Sequence, residues 1–245
     1  MDKTPLTSIA SVIGDIRSFF FAGFQTFPLT LAGAMLIIGL MTANYALLFF
    51  LIGMLIGVPV LVPVFNAGIE LIGQGVFGSM AWFEASETDI CQLAIPFGRR
   101  VGPKTTTDAA SNWTAMTAFF IGYVITNAVA ILNIKTLEIP GATDVEKARV
   151  RAGEGNRRSQ AIMAILATAV LAVIFFGTRM FRTGCESTAG LLLTVAVFSV
   201  AGAGWYYTLA STAEGRVADI LGIANRILAP RAMINKPVAC MPVGE

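Results

Sequence analysis

Four long stretches of the chain contain no charged residue, and this pattern limits the fold more than any other feature of the sequence. They cover residues 18–69, 109–134, 159–178 and 187–213. Each holds at least the roughly 20 residues that an α-helix needs to cross about 30 Å of hydrocarbon, and the first is long enough for two crossings. Because lipid offers the backbone no hydrogen-bond partners, the spans must be helical. The sequence therefore predicts an all-α, polytopic integral membrane protein with four or five transmembrane helices.

The overall composition agrees with this class of protein. Hydrophobic residues make up 56% of the chain and charged residues 13%, whereas soluble domains carry about 25% charged residues. The net charge of +2 gives no electrostatic reason to expect a nucleic-acid partner. The first apolar stretch far exceeds the roughly 7–15 residues of a signal-peptide core, so we expect it to be retained as a span.

The spans divide the single membrane domain, residues 1–245, into segments. Residues 21–66 are predicted to form a two-span hairpin that turns at Thr42–Asn44. Residues 67–112 would extend the second span or form a re-entrant or interfacial piece, followed by a polar loop. Residues 113–209 would hold three further spans, at about 113–132, 160–180 and 189–209. The count stays open between four and five because residues 21–83 allow several arrangements.

Amphipathic helices are predicted at both ends of the chain. In residues 1–20, Pro5 suits the first position of a helix, and apolar side chains then recur at steps of three and four residues. In residues 210–245, the capping box from Ser211 to Glu214 predicts an amphipathic helix, which is followed by an extended tail. A third capping box, from Thr143 to Glu146, predicts a short helix in the loop before the fourth span.

Proline and glycine residues give the second span special features. Pro59 and Pro63 each remove a backbone donor, which predicts kinks in the second half of this span. Gly53 and Gly57 form a GxxxG motif, which would permit close helix approach but is common by chance in glycine-rich spans.

The distribution of Lys and Arg gives a weak topology signal. With five spans, one side of the membrane carries seven of these residues and the other carries ten. The richer side holds the turn after the first span, the loop after the third span and the carboxy-terminal tail. The positive-inside rule predicts that this side is cytoplasmic.

Residue types that support catalysis are scarce in this chain. Histidine is absent, which excludes histidine bases, serine–histidine pairs and histidine-ligated metals. Cys91, Cys185 and Cys240 lie far apart and form no metal-binding spacing. No phosphate-binding loop, dinucleotide fingerprint or hydrolase motif is present. We therefore predict a protein that is not an enzyme, with no catalytic, cofactor-binding or metal-binding residues and no cofactor.

Polar groups in or near the spans are the remaining candidates for function. No predicted span has an ionisable residue in its interior, although such residues are the usual markers of transport. Glu186 lies near Arg179 and Arg182 at a membrane edge, and an interfacial ion pair is the favoured interpretation over a catalytic carboxylate. The polar residues within spans are expected to bond across helix interfaces; they are Gln25, Thr26, Thr30, Thr126, Asn127, Thr194 and Ser199.

Residues 156–245 resemble a family of membrane proteins from nucleocytoplasmic large DNA viruses, the giant viruses of algae and protists. The resemblance rests on six short motifs in a characteristic order and spacing: Asn156–Gln160, Gly184–Glu186, Gly202–Tyr207, Ala218–Ile223, Asn225–Leu228 and Pro237–Pro242. It implies a virion component located in the internal membrane or among the minor capsid proteins, with host endomembrane as its site during assembly. It also implies that Cys185 and Cys240 lie in packed corners, with free thiols and a disulfide or metal link as alternatives.

The resulting hypothesis is a structural membrane protein that links the internal membrane of a large virus particle to minor capsid proteins. Its expected partners are the lipid bilayer and other virion proteins, with no nucleic acid, and a homo-oligomer stays open. The alternative is a channel or small-solute transporter. Support for that alternative comes from Pro59, Pro63 and the glycine-rich stretch from Gly68 to Gly78.

Overall fold

The computed structural model describes residues 5–76, 109–133, 144–183, 186–212 and 217–221, and every regular element within these ranges is a helix. The side chains of residues 5–13, 16–18, 20–22, 73–76, 144–152 and 182–183 lie outside the description. The helices are α1 (Pro5–Met41), α2 (Tyr45–Ile52), a π-helical segment (Gly53–Gly57), α3 (Val58–Val76), α4 (Asn112–Asn133), α5 (Asp144–Thr178), a second π-helical segment (Arg179–Thr183) and α6 (Thr188–Ala210).

Five of these helical stretches are long and apolar enough to cross a membrane. They are Gly23–Met41, Tyr45–Ile72, Asn112–Asn133, Gly153–Phe181 and Thr188–Ala210. The prediction of a polytopic, all-α membrane protein is confirmed, and within the described residues the number of spans is five rather than four.

Helix α4 forms the centre of the bundle and packs against the other spans. In an 18-residue stretch of the span of α4, 61% of the residues are buried, whereas in a stretch of the same length in the span containing α5 only 11% are. Contacts between pairs of helices show their relative directions. Thr194 of α6 reaches Ala109 just before α4, and Tyr206 packs on Tyr123 further along, so α4 and α6 run parallel. Phe175 near the end of α5 contacts Trp113 at the start of α4, so α5 is antiparallel to α4.

Two glycines allow α4 and α6 to approach closely. A Cβ atom on Gly122 of α4 would overlap the carbonyl oxygen of Ser199, and one on Gly202 of α6 would overlap the carbonyl oxygen of Phe119. The Ser199 hydroxyl donates to the Ala118 carbonyl oxygen at 3.2 Å across the same interface. Small residues at a helix contact of this kind permit dense packing where no hydrophobic effect drives association.

The second span changes its hydrogen-bonding pattern before its prolines. In the π-helical segment, the Val58 N–H donates to the Gly53 carbonyl five residues earlier, and Pro59 follows directly. Pro63 lies within α3, which continues past it. Gly53 approaches its neighbours closely, since a Cβ there would lie 2.6 Å from Trp205 Nε1, but Gly57 has no neighbour within 4 Å. The predicted close approach at the GxxxG motif therefore holds for Gly53 alone.

Two predicted boundaries are wrong because helices continue through them. The amino-terminal helix begins at Pro5 as predicted, but it is one 37-residue helix with the first span. The capping box at Thr143 precedes a helix that begins at Asp144, yet this helix is not short, because α5 continues for 35 residues into the fourth span. Between residues 67 and 112, α3 extends the second span to Val76, and residues 77–108 lie outside the described residues.

The predicted carboxy-terminal helix is wrong for those of its residues that the structure describes. Residues 211–212 and 217–221 form turns and bends instead of helix. The physical reason is tertiary: the Tyr123 hydroxyl donates to the Ala218 carbonyl at 2.8 Å, and the side chains of Ala218 and Ile220 are buried in the core cluster. Residues 222–245, with the rest of that prediction, lie outside the described residues.

Candidate functional site

Three chain segments meet at one end of the bundle, where α4 begins, α5 gives way to its π-helical segment and α6 starts. Ser111 caps α4, because its hydroxyl oxygen accepts from the Thr114 N–H at 3.2 Å. Ser187 caps α6 in the same way through the Gly190 N–H at 3.0 Å. Ser111, the cap of α4, lies next to Glu186. Glu186 directly precedes Ser187, the cap of α6.

Arg179 and Glu186 form a buried ion pair at this end. Arg179 Nη2 lies 3.2 Å from Glu186 Oε1, and each side chain is only 2% exposed. The ion pair expected from the sequence is thus confirmed for Arg179, while the side chain of Arg182 lies outside the described residues. The pair is buried more deeply than an interfacial position implies. A charge removed from water needs close partners, and Arg179 Nη2 finds two of them in Glu186 and Ser111.

Two hydroxyl groups from the start of α4 complete the environment of the carboxylate. Thr114 Oγ1 donates to Glu186, at 2.6 Å from Oε1 and 2.8 Å from Oε2. Ser111 also donates to Glu186 Oε1, and it accepts from Arg179 Nη2 at 3.1 Å. The carboxylate therefore receives hydrogen bonds from two different elements, and charge-assisted bonds of this type are the stronger ones in proteins.

Trp113 connects the ion pair to the first span. The guanidinium carbon of Arg179 lies 4.7 Å from the centroid of the Trp113 ring, in a cation–π contact. Trp113 also contacts α1, because its Nε1 donates to the Phe24 carbonyl oxygen at 2.9 Å. This carbonyl is available because the residue four positions later is Pro28, which has no N–H to donate within α1.

The irregular backbone before α4 is also held by side chains. Asn66 of α3 pairs with Ala110 through two bonds, accepting from the Ala110 N–H at 2.9 Å and donating to its carbonyl at 3.0 Å. Thr194 of α6 donates to the Ala109 carbonyl at 3.1 Å. Backbone outside a helix must find such partners at membrane depth, since lipid provides none.

The arrangement is suited to fastening helices together rather than to chemistry on a bound molecule. The carboxylate of Glu186 already accepts from Ser111, Thr114 and Arg179, and it has almost no exposed surface. A general base would have to reach a proton on a substrate. We interpret the cluster as a polar fastening between the starts of α4 and α6 and the end of α5.

Five of the seven polar residues predicted within spans fall into three groups according to their hydrogen bonds. Thr194 and Ser199 bond across helix interfaces, as predicted. Thr30 and Thr126 instead donate to carbonyls of their own helices, so the prediction is wrong for these two. Asn127 is fully buried, and its amide has no hydrogen-bond partner among the described residues.

Sequence reasoning missed the partners of Glu186. Neither Ser111 nor Thr114 was among the polar residues singled out from the sequence. A usable signal was the position of Ser111 directly before an apolar run, which is typical of a helix cap. Cys91, Cys185 and Cys240 lie outside the described residues, and within those residues no cluster of three acidic or cysteine side chains could hold a metal ion.

Comparison with protein-family models, with curated proteins and with solved structures finds no match for the chain. The geometry of the bundle and of its polar fastening therefore carries the functional argument. What this geometry offers is a closed helical core and two helices that continue beyond the apolar spans.

Proposed function

We propose that the chain is a structural membrane protein, which anchors proteins at the membrane surface to the bilayer. On the resemblance of residues 156–245, the bilayer is the internal membrane of a large DNA virus particle and the anchored proteins are its minor capsid proteins. The observation that carries the proposal is the combination of a closed bundle core with helices that extend from it on both sides.

The packing of the core supports a scaffold. The inward face of α4 is filled by large side chains, among them Trp113, Phe119 and Tyr123, each no more than 3% exposed. Phe50 of α2 packs on both Phe119 and Tyr123. The charges of Arg179 and Glu186 neutralise each other within one cluster. Such a core gives the spans a fixed arrangement, which an anchor needs in order to transmit force.

The helical extensions supply surfaces for partners. Pro5 lies 13 residues before the first charge-free stretch, which begins at residue 18, and Asp144 lies 15 residues before the one that begins at residue 159. These extensions are about 20 Å and 22 Å long. Three of the described spans separate the two extensions, so the extensions lie on opposite sides of the membrane. The α5 extension carries charges of both signs, which suits a polar protein surface; they are Asp144, Glu146, Lys147, Arg149 and Arg151.

Quantitative mass spectrometry on purified virus particles, before and after mild removal of lipid by detergent, tests the proposal. We expect the protein in high copy number, and we expect it to remain with the capsid after the lipid has gone. Absence from the particles, or complete loss with the lipid, would overturn the link between membrane and capsid.

A charge variant of the α5 extension sharpens this test. Replacing Lys147, Arg149 and Arg151 by Gln should leave membrane insertion intact but release the protein with the lipid. The matched control replaces Arg99, Arg100 and Lys104 by Gln, which removes the same charge from another polar part of the sequence. Equal retention of both variants would exclude the α5 extension as the contact.

A channel or small-solute transporter is the second candidate, and the second span favours it. The π-helical segment Gly53–Gly57 interrupts the α-helical pattern in the middle of this span, next to Pro59. Local π-helix often marks functional positions in helices. Ion or solute flux into proteoliposomes above that of empty vesicles would support this candidate, and no flux for any tested solute would count against it.

A further inference from the structure

Asn127 is a fully buried polar residue of α4 that neither the cluster around Glu186 nor the helix contacts explain. Its residue exposure is 0%, and neither Nδ2 nor Oδ1 has a hydrogen-bond partner among the described residues. The other fully buried polar side chains of α4 each bond to a neighbour: Thr114 to Glu186 and Thr117 to the Trp113 carbonyl.

An unpaired amide in this position is energetically expensive. Moving an amide from water into an apolar environment without a hydrogen bond costs roughly 2–7 kcal/mol. Asn127 lies within the apolar span Asn112–Asn133, where lipid provides no alternative partner. A buried polar group with no protein partner is the usual position of an ordered internal water molecule.

The chemistry of the amide selects water among small ligands. Asn127 offers a donor, Nδ2, and an acceptor, Oδ1. A cation would bind only Oδ1 and an anion only Nδ2, which would leave the other atom unpaired and bring an uncompensated charge into the bundle. Water donates and accepts, so it can satisfy either atom.

The candidate for a further partner of such a water is Tyr123, one helical turn away. Tyr123 is four residues before Asn127, which places both side chains on the same face of α4. The Tyr123 hydroxyl donates its hydrogen to the Ala218 carbonyl, so its oxygen lone pairs remain able to accept. Ordered internal waters typically make about three hydrogen bonds, which the two amide atoms and this hydroxyl would supply.

We propose that Asn127 binds an internal water molecule inside the bundle, on the face of α4 that carries Tyr123 and close to its contact with the segment Val217–Leu221. The inference is independent of the proposed anchoring role.

Hydroxyl-radical footprinting by X-ray radiolysis tests the proposal on the intact protein in detergent. Radiolysis of a bound water labels the reactive side chains beside it even when bulk solvent does not reach them. Tyr123 is 0% exposed and Phe198 is 1% exposed. With labelling normalised to the unfolded chain, we expect Tyr123 to be labelled well above Phe198.

Two variants identify the amide as the ligand of the water. In Asn127→Leu, which removes both polar atoms, labelling of Tyr123 should fall to the level of Phe198. The control is Thr117→Val, which removes another fully buried polar group of α4 and should leave Tyr123 labelling unchanged. If Asn127→Leu does not fold, the wild-type comparison of Tyr123 with Phe198 decides alone.

Tyr123 labelled no more than Phe198 in the wild-type protein would overturn the proposal. In that case, a melting temperature of Asn127→Leu above that of the wild-type protein would show that the amide is dry and unpaired. A melting temperature below that of the wild-type protein would show that another part of the chain pairs with the amide. Equal Tyr123 labelling in the wild-type protein and in Asn127→Leu would also overturn it.

Discussion

At the scale of single residues, the Arg179–Glu186 pair is the feature with the largest energetic consequence. Both side chains are 2% exposed, and the carboxylate also accepts from Ser111 and Thr114. A buried ion pair contributes little net stability relative to apolar residues, because each charge loses its hydration. Loss of one partner is different, since the remaining charge then stays buried without compensation.

Replacing Glu186 by Gln should therefore lower the free energy of unfolding by about 3–5 kcal/mol. The measurement is equilibrium unfolding in detergent. The double replacement of Arg179 by Met and Glu186 by Leu should cost less than the sum of the single changes, because no charge remains. Arg158 is exposed, so Arg158→Met serves as a control that should change stability by less than about 0.5 kcal/mol. A Glu186→Gln effect no larger than this control would contradict the prediction.

The sequence identified this pair but not its environment. Arg179 and Glu186 lie at the two ends of the short link between two apolar runs. Opposite charges separated by so few residues at a membrane edge can be expected to pair. Ser111 and Thr114 lie 75 and 72 residues before Glu186. Their proximity depends on how α4 and α6 pack, which composition and periodicity do not encode.

At the scale of helices, Pro28 and Trp113 show how a break in one element is compensated by another. Pro28 leaves the Phe24 carbonyl without its partner within α1, and Trp113 Nε1 donates to this carbonyl from α4. The defect in α1 thereby becomes a specific contact between two spans, at the position where Trp113 also packs on Arg179.

A double-mutant cycle between these two residues tests the compensation. Trp113→Phe should destabilise the protein by about 1–3 kcal/mol, because the Phe24 carbonyl is left unpaired. In a Pro28→Ala background α1 can pair this carbonyl itself, so the same change should cost about 1 kcal/mol less. Unfolding in detergent gives the coupling energy. Equal costs in both backgrounds would show that the indole N–H contributes nothing to the contact.

The close contact of α4 with α6 gives a second prediction at this scale. Gly122→Ala and Gly202→Ala should each lower stability by about 1–3 kcal/mol, because the added methyl group overlaps the backbone of the opposing helix. Gly204 of α6 has no neighbour within 4 Å, so Gly204→Ala is the matched control and should be neutral or stabilising, by up to about 1 kcal/mol. Melting temperatures of the three variants decide between these outcomes.

Helix existence could be predicted well from the sequence, but helix ends could not. The absence of charge indicates segments that cross hydrocarbon, and it placed the first, third and fifth spans within about two residues of their observed ends. The helices of the second and fourth spans continue well beyond their predicted ends, to Val76 and back to Asp144. The absence of charge does not mark the end of a helix, because Glu, Lys, Arg and Ala are strong helix formers in water. Residues 144–158 are rich in these four types, so α5 continues where the apolar run stops. The reverse occurs at residues 217–221, where a tertiary contact overrides a capping box.

At the scale of the whole molecule, three of the described spans lie between the extension of α1 and the extension of α5, and this odd number fixes the relation between the two extensions. α1, α4 and α6 run in one direction across the membrane, and the second and fourth spans run in the other. The amino-terminal extension of α1 and the extension of α5 must then face opposite compartments. Lys and Arg content predicts that the α5 extension is cytoplasmic.

Cysteine accessibility tests this topology. In a background with Cys91, Cys185 and Cys240 replaced by Ser, we expect Gly14→Cys and Gly155→Cys to react with a membrane-impermeant maleimide from opposite sides of sealed vesicles. Both glycines are exposed; Gly14 precedes the first span, and Gly155 precedes the charge-free stretch 159–178 of the fourth span. Gly33→Cys, within the first span, should react only after detergent is added. Labelling of positions 14 and 155 from the same side would require an even number of spans between them and the opposite topology for one extension.

Because α5 is one uninterrupted helix, a change in its tilt displaces its amino-terminal end. Its 35 residues form one rod, about 52 Å long, with one end fixed beside Arg179 and the other outside the apolar span. When bilayer thickness changes, a span adapts by tilting. A tilt of about 10° around the fixed end moves Asp144 by about 9 Å. A partner bound to the amino-terminal end of α5 would therefore move when the membrane thickness changes. The thickness of the bilayer would then help to set the position of that partner.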